Sequence, residues 1–119
     1  MEVQVFGTKK DPDTRKALRF FAERRIKTHF VDLMERAASP GELQRFAQKF
    51  GVQALLDRDG KRFAELGLKQ ALYSDAHWLG RLADDPLLLR VPLVRWQHKL
   101  TVGGGDAAES AWRDWIAAA

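Results

Sequence analysis

The residues best placed to do chemistry lie in a short polar loop after the first strand-like segment. Thr8, Lys9, Lys10 and Asp11 lead into Pro12-Asp13-Thr14-Arg15, which has the character of a helix start. An aspartate before the first turn is a favoured N-cap, and proline suits the next position because the N–H it lacks would have no partner there. The same helix end also favours anions.

Basic side chains surround this helix start. Lys9, Lys10, Arg15 and Lys16 could bind phosphate or an acidic face of a protein. They alternate with Asp11 and Asp13, however, which offset part of their charge. We therefore favour a structural cap for Asp11 over a catalytic role, and ordinary surface charge for the cations.

Other groups of residues give weaker indications of a functional site. The chain has no cysteine, which excludes disulfides, thiolate metal sites and thiol redox chemistry of its own. His29, His77 and His98 are far apart and lack metal-ligand spacing. We predict no metal and no cofactor.

The elements that would position the loop follow from periodicity and caps. Strands are predicted over residues 2–6 and 27–33, with a hairpin formed by residues 87–96 and 99–102. Helices are predicted after Asp11, after a capping box at Ser39, over residues 61–66, after Ser74, and after a second capping box at Asp106. Residues 103–105 are predicted to be a flexible joint, and Trp96 would mark an interaction surface if it were exposed.

The length and net charge of the chain limit the class of protein to which it can belong. The chain has 119 residues and a net charge of +4. Its apolar runs are all much shorter than the length of about 20 residues that a membrane-spanning helix needs. No secretory signal is recognisable, so we expect one cytoplasmic domain without membrane contact. Because basic and acidic residues are interleaved, direct binding to nucleic acid is not expected.

Three segments, taken together and in order, resemble the arsenate reductase (ArsC) and Spx-like family. They are Val3–Ala17, Gly60–Leu68 and Asp85–Val94. The resemblance implies an α/β, thioredoxin-like fold, with a mixed four-stranded sheet (a βαβ half and a ββα half) and a helical insertion between the halves. Within a single domain the core would span about residues 1–36 and 86–119, and the insertion about residues 37–85.

The departures from the family concern its reactive loop. The family's catalytic cysteine falls on Asp11, and the partner position of its Cys-x-x-Cys motif falls on Thr14. A carboxylate is a poor nucleophile toward arsenate, cannot form disulfides and repels an incoming oxyanion. The resemblance therefore implies a degenerate member that has lost thiol catalysis.

The family's arginines are displaced as well. The one that precedes its cis proline falls on Val91, with Arg90 one residue earlier, and Arg58 is an approximate counterpart of a middle-domain arginine. By resemblance the bond before Pro92 is cis. If the family's geometry holds, Arg90 approaches Asp11 as a structural ion pair.

Three functions remain open. The first is an interaction or regulatory protein, since Spx-like relatives bind RNA polymerase. The second is an arsenate-reductase-like oxidoreductase that uses an external thiol such as glutathione. The third is a binding module for a small oxyanion. Candidate residues for binding an anion or a protein partner are Thr8, Lys9, Lys10, Arg15, Arg58 and Arg90.

Overall fold

The computed structural model describes all 119 residues and contains the predicted mixed sheet. Its strands are β1 (Glu2–Gly7), β2 (Lys27–Asp32), β3 (Leu93–Trp96) and β4 (Lys99–Val102). They lie in the order β2-β1-β3-β4, with β1 parallel to β2 and the other pairs antiparallel. The parallel pair requires a crossover, which the first helix supplies.

Five α-helices accompany the sheet. They are α1 (Pro12–Glu23), α2 (Pro40–Phe50), α3 (Lys61–Glu65), α4 (Asp75–Asp84) and α5 (Asp106–Ala118). Three short 3-10 turns, at Val52–Leu55, Leu68–Gln70 and Pro86–Leu88, were not predicted. None of the helices combines the length and hydrophobicity that a membrane span would require.

The chain forms two units, residues 1–36 with 91–119 and residues 37–90. In the first unit, α1 and α5 pack on the face of the sheet that carries Val3 and Val5. The rings of Phe20, Phe21 and Trp112 meet there with centroids 5.2 to 5.4 Å apart. Each such aromatic pair contributes about 0.5–1.5 kcal/mol beyond the burial of its area.

Two tryptophans on this face make contacts that join the hairpin to α5. Trp96 is 9% exposed and packs against Trp115 at 6.3 Å between centroids, so it does not mark an interaction surface. Trp112 is fully buried and donates a hydrogen bond from Nε1 to Thr101 Oγ1 at 2.8 Å. The hydroxyl on β4 satisfies the one polar group of the ring.

The second unit is helical. The predicted capping box of α2 is present, since Ser39 Oγ accepts from the Glu42 N–H and Glu42 Oε1 accepts from the Ser39 N–H, both at 3.1 Å. Helix α2 packs on α4. The ring of Phe63 stacks on that of Trp78 at 5.9 Å. Phe50, the last residue of α2, is 38% exposed.

One ion pair of the second unit also joins its elements. Arg62 Nε on α3 donates to Asp85 Oδ2 at 2.7 Å, just before the turn at Pro86–Leu88. This hydrogen bond, and then the charge of Asp85, raise the pKa of Arg62. The arginine is charged at any physiological pH. The ion pair therefore holds α3 against the residue before the turn, and it does not make stability depend on pH.

The predicted capping box at Asp106 is wrong. The N-cap of α5 is Gly105, which has no side chain to accept a hydrogen bond, and Asp106 is the first helical residue. Glu109 points to Lys16 and Arg113 instead of returning to the N-cap. The acidic residues Asp106 and Glu109 still lie in the first turn, where they complement the helix dipole.

Candidate functional site

The site is built on the turn that joins β1 to α1 in the first unit. The N–H of Asp11 donates to Thr8 O at 3.2 Å, which closes the turn, and Pro12 begins the helix. Asp11 Oδ2 accepts two hydrogen bonds, one from the Thr14 N–H at 2.7 Å and one from Thr14 Oγ1 at 2.9 Å. The predicted N-cap is therefore confirmed, and the carboxylate is held by the first turn itself.

Thr14 fills the space behind this cap. Its side chain is fully buried against Gly7, at the end of β1. A Cβ at Gly7 would lie 2.4 Å from Thr14 Oγ1, so only glycine lets β1 approach the helix this closely. Thr14, which the resemblance aligns with the partner position of the Cys-x-x-Cys motif, thus has a packing role here.

The turn between β4 and α5 packs against the same helix start. A Cβ at Gly104 would lie 2.8 Å from Asp13 Cβ, and Lys16 Nζ donates to Gly104 O at 2.8 Å. Gly103 and Gly104 are both buried. The prediction of a flexible joint is wrong for Gly103 and Gly104, which are buried, and Gly104 serves close packing; Gly105 is exposed, with open space around it.

The proline segment adjoins this turn. The bond between Val91 and Pro92 is cis, as the resemblance implies, and Pro92 is buried. The Gly103 N–H donates to Pro92 O at 2.8 Å. The loop after β1, the cis proline and the glycine turn are therefore linked within one unit by hydrogen bonds and close packing.

The cations of the loop do not converge on one point. Lys9 Nζ lies 3.9 Å from Asp32 Oδ2 at the end of β2, and its side chain is 71% exposed. Lys16 turns toward α5, where its Nζ lies 3.7 Å from Glu109 Oε2. Lys10 and Arg15 are exposed, while Thr8 is buried. Exposed pairs of this kind contribute little to stability, and the binding role of these residues stays a prediction.

Arg58 and Arg90 belong to the second unit. The Arg58 guanidinium donates to Gln53 Oε1 and lies 5.5 Å from the centroid of the Phe63 ring. The Arg90 N–H donates to Leu55 O at 2.8 Å, and its side chain is exposed. The predicted pairing of Arg90 with Asp11 stays a prediction.

Histidine and acidic groups do not gather into a metal site. No group of three or more His, Cys, Asp or Glu side chains is placed to hold an ion. His77 lies against the Tyr73 ring at 4.0 Å between centroids, and its Nε2 accepts from Arg81 Nε at 3.2 Å. This histidine therefore makes side-chain contacts at the surface of α4.

Two features of the site lie beyond the reach of the sequence. The hydrogen bond from Lys16 to Gly104 joins residues 88 apart in the chain. The clefts between elements are equally invisible, although the polar positions of α1 give a partial signal. One cleft of about 290 Å³ lies across β1, β2 and β3, where Gln4 is in register with both His29 and Arg95.

The chemistry open to the loop is limited. A helix N-terminus stabilises a negative charge, and the Asp11 carboxylate supplies that charge from within the chain. It accepts the hydrogen bonds of the first turn that a bound anion would otherwise receive. Without a thiol, the arrangement can neither attack arsenate nor form a disulfide.

Comparison with known proteins agrees with this geometry. Residues 6–110 match the model described as the ArsC family. Among solved structures, a protein named YffB superimposes with a TM-score of 0.82 at 22% identity, covering 92% of this chain and 96% of its own. A comparison with curated proteins found no match.

Two further structures have the same fold. Arsenate reductase from Vibrio cholerae gives a TM-score of 0.79 at 23% identity, with 95% of this chain and 97% of the other covered. An ArsC-family-related protein from Bacteroides fragilis gives 0.82 at 18% identity, with 93% and 97% covered. At these identities the likeness shows the fold.

Proposed function

The chain belongs to the ArsC family, and we propose that it acts as an interaction or regulatory protein without thiol redox activity. The observation that carries the proposal is the position of the Asp11 carboxylate. It occupies the start of α1 and accepts both the Thr14 N–H and the Thr14 hydroxyl. A chain with no cysteine and this internal anion keeps the family scaffold without its nucleophile.

The oxidoreductase alternative requires an external thiol such as glutathione. Such a thiol could supply sulfur, but the arsenate would still have to approach a helix start whose favourable potential is already used by Asp11. Two like charges at about 4 Å repel by roughly 1 kcal/mol in water and more in a partly desolvated site. The small-oxyanion alternative meets the same repulsion.

The first experiment measures arsenate reduction. The purified chain is assayed with glutathione, glutaredoxin and glutathione reductase, and separately with thioredoxin and thioredoxin reductase, while the oxidation of NADPH is followed. The arsenate reductase from Vibrio cholerae is the positive control. We expect a rate equal to that without protein, and turnover above that level would overturn the proposal.

The second experiment looks for the partner. The tagged full-length chain is used for affinity purification from its native host, with the tag alone as control, and RNA polymerase is the first candidate because of the Spx-like resemblance. Specific enrichment of polymerase subunits, reproduced with purified components, supports a regulatory role. Saturable binding of arsenate or phosphate at the Asp11 loop, with no protein retained, would favour the anion-binding module instead.

A further inference from the structure

A groove of about 240 Å³ runs between α1 and α5 in the first unit. Four cations line it, namely Lys16, Arg19, Arg24 and Arg113. Two carboxylates, Glu23 and Glu109, lie among them, which leaves two positive charges in excess. We call this the basic groove. It shares Lys16 with the packed helix start but does not include the Asp11 cap.

Two of the guanidinium groups are held against one aromatic ring. Arg24 Cζ lies 3.7 Å from the centroid of Phe20, and its Nη1 donates to Phe20 O at 3.0 Å. Arg113 Cζ lies 5.3 Å from the same centroid, and its Nη2 donates to Glu109 Oε1 at 3.2 Å. Each guanidinium has five N–H donors, so both retain donors for a ligand. Because they are already positioned, they lose less conformational entropy on binding.

The cations come from several turns of α1 and from α5. Arg24, the C-cap of α1, follows Lys16 by eight positions, which corresponds to about 12 Å along a helix. The spacing suits an extended ligand that carries several separate negative charges.

We propose that the basic groove binds an acidic segment of a partner protein, which rests on the proposed interaction function and names the chemistry of that partner. Glu23 and Glu109 decide between a protein and a nucleic acid. A phosphate backbone carries a charge on every nucleotide and would be repelled by both carboxylates. A peptide can place Asp or Glu opposite the arginines and a neutral or basic residue opposite the two glutamates.

The test uses defined ligands and the full chain. A fluorescent Glu-rich helical peptide is titrated with the protein, and a peptide with Gln in place of Glu is the ligand control. We expect saturable binding of the Glu peptide only, weakened as ionic strength rises from about 0.05 M to about 0.5 M because the Debye length shortens. Amide chemical shifts should change along α1 and α5.

The matched variants reverse charge inside and outside the groove. The double variant R19E/R113E should bind the Glu peptide at least about tenfold more weakly, because two attractive charges become repulsive. R45E, on the exposed surface of α2, makes the same kind of change elsewhere and should bind within about twofold of the original chain. Circular dichroism checks the fold, and the single variant R19E substitutes if the double variant is unfolded.

Three results would overturn the proposal. They are no binding of the Glu peptide, equal binding by R19E/R113E and R45E, or tighter binding of a single-stranded oligonucleotide than of the peptide. The first two would leave the interaction function standing if a partner is still recovered by affinity purification. Arsenate turnover, by contrast, would overturn the interaction function without affecting peptide binding to the groove.

Discussion

At the residue scale, the start of α1 depends on one carboxylate and one hydroxyl. Asp11 Oδ2 accepts from both the backbone and the side chain of Thr14, and Thr14 is fully buried against Gly7. These contacts serve folding, whereas the family resemblance implies a thiol and its partner at the same two positions. The exchange converts a reactive helix start into a capped one.

Replacing the cap tests its structural role. Asp11→Ala removes the acceptor of both hydrogen bonds and should lower the free energy of unfolding by about 1 kcal/mol, which corresponds to a fall in Tm of roughly 4 °C. Asp11→Ser keeps an N-cap oxygen and should recover most of the loss. Thermal unfolding followed by circular dichroism measures both, and equal destabilisation by Ser and Ala would contradict the capping role.

The glycine behind the cap gives a second prediction. Gly7→Ala places a Cβ 2.4 Å from Thr14 Oγ1, so we expect a loss of about 1–3 kcal/mol in the free energy of unfolding. In a Thr14→Ala background the same change should cost less, because the two closest clashing atoms, Oγ1 and Cγ2, are gone and only Cβ remains, at 3.0 Å. Urea denaturation of the four proteins measures this coupling.

The control for that cycle is Gly80→Ala. Gly80 lies in α4, and no neighbouring group lies within 4 Å of the place that an alanine Cβ would take, so alanine should stabilise the helix by up to about 1 kcal/mol. A similar loss at both glycines would show that the contact with Thr14 is not the cause. A coupling near zero in the cycle would lead to the same conclusion.

The residue types around the cap were predictable, but their contacts were not. The sequence Asp11-Pro12 indicates an N-cap and a first helical residue, because the rule involves neighbours in the chain. The burial of Thr14 and the closeness of Gly7 depend on how β1 meets α1. No local pattern encodes that approach.

At the element scale, the first unit is assembled by contacts between helices and the hairpin. The Trp112 side chain joins α5 to β4 through Thr101, and the turn at Gly104 joins the end of β4 to α1. Most of the strands and helices followed from periodicity. The strand predicted over residues 87–96 is wrong in its first part, because Pro86–Leu88 form a 3-10 turn and the strand begins only at Leu93, after the cis proline. The start of α5 also differs from the prediction. The motif at Asp106 fits a capping box, but the packed glycine turn begins the helix one residue earlier.

The hydrogen bond between β4 and α5 can be tested with a change that conserves shape. Thr101→Val removes the acceptor of the buried Trp112 N–H, and we expect a loss of about 1–3 kcal/mol in the free energy of unfolding. Thr101→Ser keeps the hydroxyl and should lose less. Urea denaturation compares the two variants, and a Val variant as stable as the original chain would show that the N–H finds another partner.

At the scale of the whole molecule, the chain has the fold of the ArsC family but no thiol with which to carry out redox chemistry. The order of helices and strands and three short segments were enough to predict the mixed sheet and the family, because both are carried along most of the chain. The degenerate site was predictable for a different reason, since the absence of cysteine is visible in the composition. The basic groove was not, because its cations come from two helices more than 80 positions apart in the chain.

If the scaffold has kept its effect on an anion at the start of α1, a thiol placed there should ionise readily. Asp11→Cys gives a chain with a single cysteine, so its titration can be followed without interference. The helix N-terminus should hold the pKa of that thiol below the usual value of about 8.5. Asp114→Cys, at an exposed position in the second half of α5, is the control and should titrate near the usual value. The pH dependence of alkylation by iodoacetamide measures both, and identical profiles would mean that the scaffold has lost the thiolate-stabilising property along with the cysteine.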